Sequence, residues 1–173
     1  MTACRMAICG ATGAVGQDLL TVLAARKFPL RSLKLLASPR SAGAKVPFAG
    51  ETLSVEPLRR DSFRGIDVAI FSAGGAISRE YGPLAVADGA VVIDNSSAFR
   101  MDPEVPLVVP EVNRAALRGH RGLIANPNCS TILLVLALAP LHEAAGLDAV
   151  VVSTYQAASG AGQRAMTELR TGM

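Results

Sequence analysis

The chain has 173 residues, half of them hydrophobic, and a formal net charge of +3. This composition excludes a disordered chain and allows one domain, or one domain and part of another. The basic residues are scattered, with Arg59-Arg60 as the longest run and no interleaved aromatic residues, so we expect no nucleic-acid partner.

The cysteines and the apolar runs bear on the compartment. Cys4, Cys9 and Cys129 are an odd number without the spacing of a metal site, so we expect no metal. They favour a reduced, cytoplasmic compartment over a disulfide framework. No signal-peptide pattern precedes the first apolar segment. The longest apolar run contains Pro140 and is too short for a bilayer, so we expect no membrane partner.

The first predicted strand, residues 6–9, runs into a glycine-containing turn and then a helix. Val15, Leu19 and Val22 recur at helical spacing after the turn. The turn reads GxxGxxG, a variant of the dinucleotide fingerprint, in which glycine permits a tight turn and the close approach of a pyrophosphate. The alternative is that the glycines only pack the helix on the strand. The glycines are Gly10, Gly13 and Gly16.

The second predicted strand, residues 32–37, ends in Ser38-Pro39-Arg40-Ser41. In a dinucleotide fold this end meets the adenosine ribose, and NAD-specific folds place an acidic residue there for the 2′-hydroxyl. No acid is present here, whereas Arg40 and Ser41 suit a 2′-phosphate. The sequence therefore predicts NADP, with a solvated loop arginine as the alternative interpretation of Arg40.

The rest of the sequence up to residue 125 alternates between strands and helices, which predicts an α/β fold, a Rossmann-like doubly wound parallel sheet. Small, polar or basic residues follow four of the strands. In a doubly wound sheet all four segments face one edge, where a ligand would bind. Strands are predicted at 52–55, 66–71, 90–93, 107–109 and 122–125, helices at 77–88 and 111–117, and the four segments are 10–16, 72–75, 95–100 and 126–129.

Cys129 follows a Pro-Asn pair between the last of these strands and a long apolar run that reads as a helix. The proline disfavours helical geometry before it, and Asn128 and Ser130 are good N-cap types. The cysteine is therefore predicted at or next to a helix N-terminus, where unpaired N–H groups and the helix dipole favour a thiolate. The alternative is a small buried cysteine that fills space.

After this helix, residues 147–155 are predicted to form a strand, and residues from 163 onward a helix in which the sequence ends. We expect residues 1–130 to form the nucleotide-binding domain. Residues 131–173 are expected to begin a second, α+β domain for catalysis and dimerisation that is incomplete here.

Six motifs resemble those of the aspartate-semialdehyde dehydrogenase family, in that family's order, from the first strand to the last residue. The N-acetyl-glutamyl-phosphate reductase family shares the glycine loop and a cysteine, but its cysteine typically follows Pro-Gly, and it stays an alternative. The motifs are GATGAVG from Gly10, FSAGG from Phe71, DNSSAFR from Asp94, VPEVN from Val109, NPNCST from Asn126 and TYQAASGAG from Thr154.

The resemblance implies NADPH-dependent reductive dephosphorylation of aspartyl 4-phosphate to aspartate semialdehyde, with release of phosphate, in lysine, threonine and methionine biosynthesis. It makes Cys129 the nucleophile that forms a thioester, which NADPH then reduces. It also implies that Arg100 holds the phosphate, Asn128 places the substrate and Gln156 aligns it. The cofactor-binding residues it implies are Gly10, Thr12, Gly13, Ala14, Val15, Gly16, Arg40, Ser41, Ser72, Asn95, Ser159 and Gly160.

Members of the family resembled are about twice as long, as expected of a two-domain enzyme. Their general acid/base histidine and the arginine for the substrate's α-carboxylate have no match here, and His120 and His142 are interpreted as surface residues. We therefore expect an N-terminal portion that is inactive alone. The resemblance implies a homodimer for the full-length enzyme, and a non-catalytic NADP-binding module is the second alternative.

Overall fold

The strands of the computed structural model, which describes residues 2–172, join in one seven-stranded sheet. The sheet runs β3-β4-β2-β1-β5-β6-β7, and all neighbours are parallel except β3 and β4 in the ranges given below. The chain extends the sheet on both sides of its first strand, which makes that strand the switch point where such sheets bind ligands. The ranges are β1 Cys4–Cys9, β2 Leu30–Ala37, β3 Lys45–Phe48, β4 Glu51–Pro57, β5 Val68–Phe71, β6 Val91–Asp94 and β7 Leu123–Ala125.

The helices connect these strands and then continue beyond the sheet. Three short 3-10 helices, at Pro39–Ser41, Arg114–Gly119 and Ala158–Ala161, lie between them. The α-helices are α1 Ala14–Ala25 between β1 and β2, α2 Gly75–Ala87 between β5 and β6, α3 Pro110–Asn113 before β7, α4 Cys129–Ala145 after β7, and α5 Gln163–Thr171.

The central strand contributes to two separate cores. Met6 and Ile8 pack in one cluster with Leu20 of α1, whereas Ala7 packs in the other with Ala85 of α2. Successive strand residues point to opposite faces of a sheet. Helices α1 and α2 therefore cover opposite faces, which confirms the predicted doubly wound arrangement.

The parallel register aligns the carboxyl ends of the central strands. Cys9 pairs with Leu36 and with Phe71, Phe71 pairs with Asp94, and Asp94 pairs with Ala125. The loops that follow these strands therefore begin side by side, as the sequence predicts. We call this row of strand ends the carboxyl edge, and its first loop residues are Gly10, Ser72, Asn95 and Asn126.

The opposite edge of the sheet is joined by an ion pair between Arg5 and Asp67. Arg5 N and Nε donate to Asp67 Oδ2 at 2.7 and 3.1 Å, and Nη2 donates to Oδ1 at 2.6 Å. These hydrogen bonds from Arg5 lower the pKa of Asp67 to about 2. Because both side chains are substantially exposed, the pair contributes little stability and serves to align β1 with β5.

Two short strands differ from the sequence-based expectation. The predicted strand at 107–109 is reduced to one parallel bridge between Leu107 and Ala125, since Pro110 already begins α3. Strand β3 was not predicted because it contains Pro47. It lies at the outer edge of the sheet, where a proline is tolerated.

The prediction of a strand at 147–155 is wrong for the described residues. Val151 and Tyr155 are 99% and 101% exposed, and the segment pairs with no other strand. A strand requires a neighbour for its backbone N–H and C=O groups, and this segment has none in residues 2–172. The apolar pattern indicates a preference for strand structure, but these residues form no strand.

Helix α4 is apolar around its circumference, yet none of its residues is buried. Leu133 and Leu141 are 71% and 57% exposed. Within residues 2–172, no helix has both the length and the apolar character needed to cross a membrane. An exposed apolar helix of this kind is typical of a surface that other protein covers.

Candidate cofactor-binding and active site

The turn between β1 and α1 depends on two glycines. Gly10 has a φ of +90°, and a Cβ added there would lie 2.4 Å from the carbonyl oxygen of Ser72. A Cβ on Gly16 would lie 2.3 Å from the carbonyl oxygen of Gly10. Both contacts are too close for any side chain, so packing alone requires these glycines. The result is a tight turn that brings the start of α1 to the carboxyl edge.

The start of α1 is open to an anion. Gly13 is the N-cap and supplies no side-chain cap, and the first turn has no acidic residue. Residues 12–15 are exposed. The first N–H groups of a helix have no partner inside it, and with the dipole they attract negative charge. This turn therefore fits the pyrophosphate of a dinucleotide.

The end of β2 offers a positive charge beside this turn. Arg40 and Ser41 lie in the 3-10 helix Pro39–Ser41, and Arg40 is exposed. In the part of the chain that the structure describes, Arg40 makes no salt bridge. The guanidinium is therefore available to a 2′-phosphate, for which its planar fork is well suited.

The loop after β5 begins in close contact with the glycine turn. Ser72 N donates to Cys9 O at 2.8 Å, and the carbonyl group of Ser72 lies against Gly10. Gly74, with a φ of +93°, is the N-cap of α2. Ser72 is therefore fixed next to the turn that fits the pyrophosphate.

A network of hydrogen bonds joins the ends of β6 and β7. Asn126 N donates to Asp94 O at 2.8 Å, and Asn126 Nδ2 donates to Asn95 Oδ1 at 2.7 Å. Arg100 Nε donates to Asn126 O at 2.9 Å, and Arg100 Nη2 donates to Asn95 O at 3.0 Å. Arg100 therefore uses part of its fork as a brace between two strand ends, while its other N–H donors remain for an anion.

Buried hydrogen bonds to Asp94 hold the loop after β6 in place. The Asp94 carboxyl group is fully buried and accepts from Ser78 Oγ at 2.6 Å, Ser96 Oγ at 2.7 Å and Ser96 N at 3.2 Å. A buried carboxyl group without partners would be costly, and here hydroxyl and amide groups supply them. The loop that carries Asn95 and Arg100 is thereby held to α2.

Cys129 is the first residue of α4, which residues 126–128 separate from the end of β7. Asn128 is the N-cap, and its side-chain oxygen accepts from Ser130 N at 3.0 Å, a cap worth about 1 kcal/mol. Cys129 is exposed, whereas Cys9 is buried, and burial raises the pKa of the Cys9 thiol. The predicted helix start is confirmed, and the alternative of a buried, space-filling cysteine does not apply to Cys129.

Comparison with known families shows which family the chain belongs to. A family model described as "Semialdehyde dehydrogenase, NAD binding domain" matches residues 5–120, and one described as "Semialdehyde dehydrogenase, dimerisation domain" matches residues 138–172. The chain belongs to the semialdehyde dehydrogenase family. The glycine turn and the strand ends up to Asn95 thus lie in a region that matches a semialdehyde dehydrogenase NAD-binding domain.

Individual relatives agree with this family assignment. It is 57% identical over 165 residues to aspartate-semialdehyde dehydrogenase of Bacillus subtilis, covering 95% of this chain and 48% of the relative. The crystal structure of aspartate semialdehyde dehydrogenase II complexed with ASA from Vibrio cholerae has a TM-score of 0.91 and 45% identity, covering 99% and 52%. A Candida albicans aspartate semialdehyde dehydrogenase with NADP has a TM-score of 0.69 and 27% identity, covering 84% and 48%. The resemblance is confirmed, and the chain spans about half the length of these relatives.

Three residues predicted from the resemblance form no hydrogen bond to the strand ends in residues 2–172. Gln156 lies in the extended segment after α4, and Ser159 and Gly160 lie in the 3-10 helix Ala158–Ala161. All three are exposed, and within residues 2–172 no hydrogen bond links them to the carboxyl edge. Their roles stay predictions.

The two histidines are poorly placed for proton transfer at Cys129. His142 lies in the last turn of α4, about 20 Å along the helix from Cys129 at 1.5 Å per residue. His120 Nδ1 accepts from Gly122 N at 3.1 Å, just before β7 at the opposite end of that strand. Neither position suits a general acid for the thiol.

Sequence analysis assigned no role to two polar residues that organise these strand ends. Asp94 and Asn126 each stand at the carboxyl end of an apolar strand, where the structure joins them by a main-chain hydrogen bond. The sequence signal was a polar side chain directly after Val-Val-Ile and after Leu-Ile-Ala. Their pairing partners could not be read from the sequence, because they depend on the register of β6 with β7.

Iodoacetamide near neutral pH should alkylate Cys129 at least about tenfold faster than Cys4 or Cys9. Cys129 is exposed at a helix N-terminus, whereas Cys9 is buried with a raised thiol pKa. Peptide mass spectrometry over a time course measures the three rates. The Cys129→Ser variant should lose the fast phase, and equal rates for the three cysteines would contradict an activated thiol.

Proposed function

We propose that this protein binds NADP(H) along the carboxyl edge and carries the nucleophile of an aspartate-semialdehyde dehydrogenase, Cys129. The observation that supports this most directly is the placement of an exposed cysteine, at the start of α4, in the same row of strand ends as the glycine turn. The names of the relatives support the aspartyl substrate class.

The first chemical step belongs to Cys129. Its thiolate attacks the acyl carbon of aspartyl 4-phosphate, the carbon–oxygen bond to the phosphoryl group breaks, and inorganic phosphate leaves. The N–H groups at the start of α4 stabilise the thiolate before attack. The product is a thioester on Cys129, which divides one difficult reduction into two easier steps.

Arg100 and Asn128 are proposed to hold the substrate for this attack. Arg100 lies on the neighbouring strand end and keeps N–H donors beyond the two that bond carbonyl groups. Asn128 uses its side-chain oxygen for the helix cap, which leaves its NH₂ group for the substrate. Gln156 is proposed to align the substrate from the segment after α4.

The cofactor is proposed to contact residues of five segments. When bound, NADPH supplies the hydride that reduces the thioester carbonyl. The exposed start of α1 holds the pyrophosphate, while Arg40 and Ser41 bind the 2′-phosphate. The complete set of proposed contacts is Gly10, Thr12, Gly13, Ala14, Val15, Gly16, Arg40, Ser41, Ser72, Asn95, Ser159 and Gly160.

Turnover is proposed to need groups beyond these 173 residues. The described site contains no histidine placed to move a proton at Cys129, and general acid–base help is worth about 10²–10⁴-fold.

We propose that residues 1–130 form the cofactor domain and that 131–173 begin the second domain. The match to a dimerisation domain and the exposed apolar surface of α4 support a homodimer of the whole enzyme. Three free cysteines support a reduced, cytoplasmic setting.

Mixing the protein with aspartyl 4-phosphate should place one aspartyl group on Cys129, detectable by intact-protein and peptide mass spectrometry after an acid quench. Sustained NADPH oxidation should be absent, because proton transfer lacks its partner. The Cys129→Ser variant should not be labelled, whereas Cys4→Ser should be labelled normally.

Two outcomes would contradict this proposal in different ways. Labelling that survives Cys129→Ser would remove the nucleophile assignment, and sustained turnover by these residues alone would show that no further group is needed. N-acetylglutamyl phosphate serves as the competing substrate, and faster labelling by it would favour the sister reductase. Cofactor binding without labelling by either acyl phosphate would favour the non-catalytic module.

Arg40→Ala should weaken NADPH binding about tenfold or more while leaving NADH binding within about twofold, because only NADPH carries the 2′-phosphate. Cofactor fluorescence titration measures both affinities. Arg26→Ala is the matched control, since this exposed arginine caps the far end of α1, away from the carboxyl edge. An equal loss for both cofactors, or no loss, would contradict a 2′-phosphate site at Arg40.

A further inference from the structure

Asn126 is held at the carboxyl edge by three hydrogen bonds, although none of the roles proposed above uses it. Its N–H donates to Asp94 O at 2.8 Å, and its carbonyl oxygen accepts from Arg100 Nε at 2.9 Å. Its side-chain Nδ2 donates to Asn95 Oδ1 at 2.7 Å. Because hydrogen bonds hold both its main-chain N–H and its C=O group, the side-chain amide of Asn126 contacts Asn95 from a fixed position.

This contact determines which end of the Asn95 amide remains free. Among residues 2–172, Asn95 Nδ2 has no hydrogen-bond partner, whereas every buried side-chain nitrogen and oxygen has one. Asn95 Nδ2 is therefore reached by solvent. A carboxamide has one acceptor end and one donor end. With the acceptor end bonded to Asn126, the donor end is presented at the carboxyl edge.

We propose that Asn126 is a positioning residue for the cofactor: it orients the Asn95 amide so that Nδ2 donates to an acceptor oxygen on the nicotinamide half of NADP(H). This inference rests on the proposed NADP(H) site. With the pyrophosphate at α1 and the 2′-phosphate at the end of β2, the strand ends on the other side of β1 remain for the nicotinamide half. Asn95 follows β6 on that side.

The Asn126→Asp variant tests the orientation directly. A carboxylate only accepts, so Asn95 must turn its NH₂ group toward position 126 and present Oδ1 to the cofactor instead. We expect the dissociation constant for NADPH to rise about tenfold. Asn126→Ala removes the anchor without imposing the opposite orientation, and we expect a rise of about threefold. Fluorescence titration with NADPH measures both.

The same substitutions in an Asn95→Ala background separate positioning from general damage. If Asn126 acts through Asn95, Asn126→Ala then changes the dissociation constant for NADPH by less than about twofold, and Asn126→Asp costs only the repulsion between its carboxylate and the phosphates. The repulsion between the new carboxylate and the phosphates persists in that background and therefore cancels from the comparison. Ser97→Asp places a carboxylate in the neighbouring loop after β6, on an exposed residue outside the amide pair, and we expect it to weaken NADPH binding less than Asn126→Asp does.

Thermal unfolding verifies that each variant is folded, and the Asn126→Ala pair decides the question if Asn126→Asp does not fold. An equal loss of affinity with and without Asn95 would overturn the inference, as would unchanged affinity in both Asn126 variants of a protein that binds NADPH. A wild type that binds no NADPH would instead contradict the proposed cofactor site itself.

Discussion

The parallel register of β1 with β2 and β5, and of β5, β6 and β7 with one another, is the constraint on which the site depends. It brings five strand ends to one edge, so that residues far apart in sequence begin their loops side by side. Gly10 and Gly16 make this possible at the central strand, since any Cβ there would collide with neighbouring backbone. The start of α1 and the start of α4 are thereby placed at the same edge, one open to an anion and one carrying a thiol.

A second layer of polar contacts fixes the loops that this register assembles. Asp94 is buried beneath the loop after β6 and is satisfied by two serines, while Arg100 and Asn126 join that loop to the end of β7. A buried carboxyl group without partners costs on the order of several kcal/mol, so this cluster strongly disfavours other loop conformations. The thiol of Cys129 and the amide of Asn95 are consequently held next to two adjacent strand ends that hydrogen bonds join.

Much of this arrangement was predictable from sequence because its signals are local. The glycine spacing before α1, the alternation of strands and helices, and the Pro-Asn-Cys start of α4 each follow from backbone chemistry within a few residues. Contacts between strands were not predictable in this way. The bond between Asn95 and Asn126, and the brace from Arg100, require the register of two strands separated by about 30 residues. The segment 147–155 failed as a strand for a related reason, since its pattern encodes a propensity but not a partner.

Amide chemical-shift mapping by NMR, with NADPH added to isotope-labelled protein, tests most directly the claim that the carboxyl edge is one binding surface. The account predicts shifts in residues 10–16, around Arg40, at Ser72 and Asn95, and at the start of α4 near Cys129. It predicts no comparable shifts at Arg5 and Asp67 on the opposite edge. Shifts confined to that opposite edge, or to α5, would contradict the account.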